Sequence, residues 1–424
     1  MKPEIKQRIE QIRRGEVPEG YEKKRTVVIP QQWRLPQIKD IASISSGSTP
    51  NRNNSEYWNG NIPWVTTGEL SSGHVNHTSE LITVKAVKEA KMRIYPQGTL
   101  LMAMYGQGKT RGTVAILEID AAVNQACAAI TVKDGKSKFL FYQLKNSYQD
   151  IRKLSNTGNQ ENLNADIIKT YQVPWAPDEE QERISTILTT QDKVIELKEK
   201  RLTEKQRQKK YLMQQLLTGK KRLPGFSGEW KNIKLCEVLS ERKEKNVEQN
   251  LRICSVAVQK GVVDQVEHLG RSYAANDTSN YSVAHYGDII YTKSPAGDFL
   301  YGIVKQNLLQ ETVAVSPLYG VFTPWTFGLG YFLHTYFQSA ICARNYLLPI
   351  VQKGAKNTIN ITNDTFISSK LYLPLDVEEQ KAIADTFIAA DREIDLLRQD
   401  IEQEKQKKKA LMQLLLTGIV RVKI

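Results

Sequence analysis

The sequence predicts an α+β chain: two mixed α/β modules separated by two long helices that pack as an antiparallel coiled coil, with a pseudo-twofold internal repeat. Three observations predict it. Gln181, Ile184, Asp192, Ile195 and Leu197 recur at one common offset as Gln380, Ile383, Asp391, Ile394 and Leu396. At the same offset, Leu212-Met213-Gln214 returns as Leu411-Met412-Gln413, and Leu216 to Gly219 as Leu415 to Gly418. Such long-period similarity constrains architecture more than any local pattern. Within each copy apolar residues alternate four and three positions apart, the spacing that keeps knobs facing a partner helix. Between the copies the text changes to short β-branched runs broken by glycine and asparagine, which signal strands and turns.

In chain order, a charged helical segment is expected at 1–30 and the first module at 31–177. The first helix then falls at 178–222, the second module at 223–376, and the second helix with a tail at 377–424. Trp33, Ile38 and Ile41 are echoed by Trp230, Leu235 and Val238, so each module opens alike. GTLLMAM, GTVAILEI and QACAAITV read as strands of the first module; GDIIYTK, YGIVK and TVAVSPLYGVF read as strands of the second. Helices are expected at Lys138 to Lys153 and Phe327 to Arg344. The long helices should run from about Asp178 to Thr218 and from about Val377 to Thr417. Acidic residues complement their N-termini, and glycines at their ends suit left-handed caps.

The seam is assigned to Ile184, Leu188, Ile195, Leu202, Leu212 and Leu216 on one helix. On the other it is assigned to Ile383, Phe387, Ile394, Leu397, Ile401, Leu411 and Leu415. Lys205 and Lys209, set against Glu404 and Lys408, interrupt it. A solvated helical hairpin is one reading of such polar breaks; the other is that they, with outward leucines, contact another protein.

Composition limits the function classes. With 424 residues the chain exceeds one ordinary core, and its net charge of +13 favours a polyanionic partner, because basic groups displace counterions from phosphates. No apolar run approaches a membrane span and the N-terminus MKPEIKQRIEQIRRG has no secretory pattern, so a cytoplasmic location is expected. The four cysteines are scattered without a CxxC pair, which indicates reduced side chains rather than a disulfide framework or thiolate metal site.

Among motifs, Ala103 to Thr110 satisfies a relaxed phosphate-loop pattern, yet it leads into the strand-like TVAILEI instead of a helix. Gln107, Lys109, Thr110 and Arg111 are better candidates for DNA contact, against the alternative of a plain hairpin loop. The same reading extends to Thr49, Asn51, Arg52, Thr66, Thr67, Asn159 and Gln160 in the first module, and to Lys293, Ser294, Lys353, Lys356 and Asn357 in the second. These side chains carry donors and acceptors that distinguish base edges, and lysines fix phosphates. His74 and His77 lack companion ligands, and no metal or catalytic residue is assigned. With no Asn-Pro-Pro-Tyr type sequence and no cofactor loop opening a helix, the chain is not expected to methylate DNA alone. A self-sufficient nuclease or methyltransferase, or a purely structural coiled-coil adaptor, are the competing classes.

The start EIKQRIEQIRRGEVPEGY, the segments IPWVTTGEL and MAMYGQGKTRGTVAIL, and both helices ending LMQ-x-LLTG resemble the specificity subunits of type I restriction-modification enzymes. The resemblance spans nearly the whole chain. It implies two target recognition domains reading a bipartite DNA sequence, helices that set the spacing, and two adenine-methyltransferase subunits as partners. A restriction subunit is a further implied partner. No cofactor is expected on this chain; S-adenosylmethionine, ATP and magnesium would belong to the partners. The second module has no copies of IPWVTT or GQGKT, which implies two different half-sites.

Overall fold

Leu100–Ala103, Val114–Leu117 and Cys127–Val132 are apolar at nearly every position because their sheet is covered on both faces. The computed structural model describes residues 3–106, 108–154, 162–270, 277–353 and 359–422. It divides into two units, Met1–Lys198 with Asp400–Ile424, and Glu199–Gln399, so each long helix gives one half to each unit.

In the first unit a five-stranded sheet runs Ala42–Ser46, Cys127–Val132, Leu100–Ala103, Val114–Leu117, His74–Val75. Alternation sends Leu100, Met102, Ile116 and Ile130 to a core with Trp33, Phe139 and Leu144, and sends Leu101, Ala103, Leu117 and Ala129 to the opposite core with Val65 and Tyr95. A second sheet pairs Trp58–Val65 with Glu80–Ile82 antiparallel and with Ala122–Val123 parallel. The helix expected at Lys138 to Lys153 is two helices, Ser137–Asn146 and Tyr148–Lys153.

The second unit holds two four-stranded sheets. One orders Leu239–Glu241, Gly320–Pro324, Ile289–Tyr291 and Val304–Gln306; the other orders Gly261–Asp264, Arg252–Ala257, Val313–Val315 and Ser282–Ala284. The helix expected at Phe327 to Arg344 is likewise divided, into Phe327–Tyr336 and Ala340–Leu347.

Both long helices are present, as Asp178–Leu216 and Val377–Leu415, and Gly219 and Gly418 follow them with φ of 69° and 71°. A side chain at either position would be strained by that backbone and would press on Trp230 or on Pro30 and Trp33.

The seam is shorter than the heptad spacing suggested. Ile184, Leu188, Leu411 and Leu415 pack into the first module's core, and Leu212, Leu216, Ile383 and Phe387 into the second's. Ile195 and Ile401 are buried in the middle stretch of the first unit, as are Ile394 and Leu397 in the second, while Leu202 is half-buried. Polar pairs accompany them. In the first unit Gln191 Nε2 donates to Glu404 at 2.6 Å, Lys198 reaches Asp400 at 2.8 Å, and Lys408 binds Asp192. In the second, Lys205 pairs with Glu393 at 2.9 Å and Lys209 with Asp391. Partner numbers fall as helix-one numbers rise, so pairing is antiparallel in each unit. Lys205 and Lys209 therefore do not face Glu404 and Lys408: the register gives each lysine a carboxylate.

Two further constellations repeat. In the first unit Glu180 is fully enclosed and accepts from Trp33 Nε1 at 2.9 Å and from the Arg421 guanidinium at 2.7 and 2.8 Å. In the second, Glu379 accepts from Trp230 Nε1 at 3.0 Å and from both arms of Arg222. Each carboxylate thus ties the start of a long helix to a module's opening tryptophan and to the tail after a long helix. Tyr142 donates to Asp192 at 2.8 Å, and Tyr331 to Asp391 at 2.9 Å.

The N-terminal helix Pro3–Arg13 is followed by a hairpin, Tyr21–Lys24 with Val27–Pro30. Arg8 donates to the Ile419 carbonyl at 2.6 Å and Tyr21 to that of Gly418 at 2.7 Å, so this segment fastens the C-terminal tail.

Candidate nucleic-acid interface

A short turn, Asn124 to Cys127, gathers the loops of the first module. It leaves the buried strand Ala122–Val123 and enters Cys127–Val132, closed by the Cys127 N–H to the Asn124 carbonyl at 3.1 Å. The Asn124 N–H donates to the Val65 carbonyl at 3.0 Å, fixing the end of the IPWVTT strand beside the turn. Met104 N–H donates to the Ala126 carbonyl at 2.8 Å, so the loop after Leu100–Ala103 departs from the same place. Ser48 N–H donates to the Val123 carbonyl at 3.0 Å, and the Thr49 hydroxyl bonds Gln125 Oε1. Three of the loops predicted to carry recognition groups therefore meet at one turn.

The individual residues fare differently. Thr49 faces Gln125, and the Asn51 side chain accepts from the Asn53 N–H at 3.0 Å, forming a turn. Arg52 is spent within the fold: it ion-pairs with Glu80 and lies over the Trp58 ring at 4.1 Å. Thr66 caps a short helix that begins at Thr67, with Glu69 accepting from the Thr66 N–H at 2.7 Å. Lys109 is exposed and Thr110 half-buried, with Gly106 at φ 134° because a Cβ there would sit 2.8 Å from Thr110. Arg111, expected to offer donors, is buried at 8% exposure. Its carbonyl accepts from Arg152 at 2.8 Å, and Arg152 also holds the Gly108 carbonyl at 2.9 Å. The loop is thus clamped from the helix Tyr148–Lys153, and Arg111 anchors it instead of reaching outward.

Gln107, Asn159, Gln160, Lys356 and Asn357 lie outside the described residues. In the second module Lys293 follows the strand Ile289–Tyr291 at φ 56°, half-buried, and burial lowers its pKa while Glu241 opposes that effect. Ser294 beside it is exposed. Lys353 falls in the short strand Gln352–Lys353. His74 bonds Glu118 at 2.7 Å and His77 bonds Asn76 at 2.6 Å. Among the described residues no group of three or more His, Cys, Asp or Glu is placed to hold a metal, and no helix is long and apolar enough to cross a membrane.

Sequence reasoning missed Asn124 and Gln125. The available signal was a polar dipeptide inside the otherwise apolar AAVNQACAAI.

A family model described as the type I restriction modification DNA specificity domain matches residues 30–206. The MjaIX specificity subunit of a type I restriction enzyme from Methanocaldococcus jannaschii is 35% identical over 178 residues, covering 41% of this chain and 40% of that protein. The MjaVIII specificity subunit of the same organism is 24% identical over 439 residues, covering 96% of this chain and 97% of that one. The chain is thus similar to type I restriction-modification specificity subunits, with the matched DNA specificity domain at residues 30–206. The crystal structure of a type I restriction-modification S subunit from M. genitalium aligns with a TM-score of 0.58 at 11% identity, covering 93% of this chain and 98% of that chain, a likeness of fold. The repeated Trp33-Glu180-Arg421 and Trp230-Glu379-Arg222 junctions are common to the two units. Around these junctions the two modules carry different sheets, one five-stranded and one three-stranded in the first and two four-stranded in the second.

Proposed function

We propose that this chain is the DNA-recognition subunit of a type I restriction-modification complex, each module reading one half of a bipartite duplex target. It performs no chemistry itself. The observation that carries this reading is the repeated junction: one frame, built twice, presents two unlike sets of loops, which suits two unlike half-sites. The basic charge supplies the attraction to phosphates.

Two copies of an adenine-methyltransferase subunit are the partners, with a restriction subunit where the system has one. Leu197 and Leu396 support the pairing, since they occupy equivalent repeat positions and are 55% and 56% exposed. Each helix thereby offers the same apolar contact to one copy. S-adenosylmethionine, ATP and magnesium are assigned to those partners.

The long helices set the length of the spacer between half-sites. Removing one heptad in register from both helices keeps the seam while shortening each by about 10 Å, the rise of about three base pairs. The expected result is a methylated target whose spacer is shorter by about three base pairs, mapped from modified adenines. An unchanged spacer would rule the role out.

A further inference from the structure

We propose that Gln125 reads an A·T pair in the major groove, with Thr49 holding its amide in place; this rests on the first module being a base-reading one. The turn that carries Gln125 is tied down on both sides. Buried strands precede and follow it, and its backbone is bonded to Val65 on one side and Met104 on the other, at 3.0 and 2.8 Å. A reading group needs such a rigid base, because a base edge is discriminated only when donor and acceptor arrive in register.

The Gln125 side chain is exposed, its Oε1 accepts from the Thr49 hydroxyl, and its Nε2 has no partner among the described residues. That bond holds the amide in place. Oε1 retains a second lone pair, so the amide still presents an acceptor and a donor side by side, the pattern complementary to adenine N6 and N7. The surrounding groups are disposed differently. Arg52 is neutralised by Glu80 and Arg111 is buried, which leaves exposed Lys109, on the neighbouring loop, for a phosphate.

The test uses the full chain assembled with its methyltransferase subunits. Duplexes carry the mapped target with each base pair of both half-sites replaced in turn. With Gln125→Ala, discrimination at one A·T position of one half-site should fall roughly five- to 150-fold, with the other half-site and the salt dependence unchanged. Thr49→Val should weaken the same position by a smaller factor. Should the alanine variant fail to assemble, Gln125→Glu keeps the shape and replaces the donor with an acceptor, and should move the preference at that position from adenine toward cytosine. Retention of the wild-type preference at every position by both Gln125 variants would overturn the assignment. Absence of any base preference in the wild-type complex would instead overturn the recognition reading beneath it.

Discussion

Replacing Lys305 with methionine is expected to stabilise the second unit at pH 7 by about 2 to 3 kcal/mol. Lys305 lies in the strand Val304–Gln306, is 4% exposed, and has its pKa lowered to about 8 by burial first and then by Lys209, with Asp391 opposing. Asp391 is already engaged by Lys209 and by Tyr331, so Lys305 brings a surplus positive charge to a site whose carboxylate is taken. The gap between 8 and the ordinary 10.5 corresponds to about 3 kcal/mol that folding spends on confining the ammonium. Methionine has similar length and no charge, so the apolar packing of the stem is retained while that cost disappears.

The pH dependence follows with a definite sign. Between pH 8 and 10.5 the unfolded lysine binds more protons than the folded one, so wild-type stability rises with pH across that window. His334 acts in the same direction at lower pH: it is fully buried, its pKa is lowered by desolvation and by Lys305 and Lys209, and its Nδ1 accepts from the Gln306 N–H at 3.0 Å. Stability is therefore lost as pH falls below about 6.5, the ordinary histidine value. Buried Tyr291, Tyr331 and Tyr346 hold their protons above the usual range and work oppositely above about pH 10. The contrast should be read as the difference between wild type and the methionine variant from pH 7 to 9.5, in which the contributions of buried Cys254 and Lys293, common to both proteins, cancel. Hydrogen exchange localised to Glu199–Gln399 measures it, and a loss of protection in the variant at pH 7 would show that the ammonium is favourably held.

Why some of this was legible and some was not follows from what spacing encodes. The common offset of Gln181 and Gln380, and the glycines after both helices, fixed the helix lengths to within two residues. The apolar runs at Leu100, Val114 and Cys127 announce strands, while the coverage of their sheet on both faces comes from the structure. Heptad spacing identifies a helix face but not its axial offset, since any slip of seven residues keeps the same face. Lys209 was therefore set against Lys408, whereas the fold gives it Asp391. Arg52 and Arg111 looked alike as exposed donors because their partners, Glu80 and the surroundings of Arg152, are distant in sequence. Gln125 went unnoticed for the complementary reason: its importance comes from three loops that only the folded sheets bring together.

The buried junctions carry the second large expectation. Glu379→Ala should cost the second unit about 2 to 4 kcal/mol, seen as a lower urea midpoint with an unchanged slope and as lost protection around Trp230. Breaking a buried ion pair from one side costs about 3 to 5 kcal/mol, because the remaining charge stays desolvated. Arg222 keeps 24% of its side chain exposed, and water recovers part of that, which lowers the figure. The Trp230 Nε1–H is also left without its acceptor. Arg222→Met combined with Glu379→Met should cost less than the two single losses added together, since no buried charge then remains. The equivalent change Glu180→Ala should loosen the first unit, where Arg421 and Trp33 lose the same acceptor. Because each junction is confined to one unit, Glu379→Ala should relax recognition of one half-site and Glu180→Ala that of the other. Loss of both half-sites from either single substitution would mean that the two modules do not read independently.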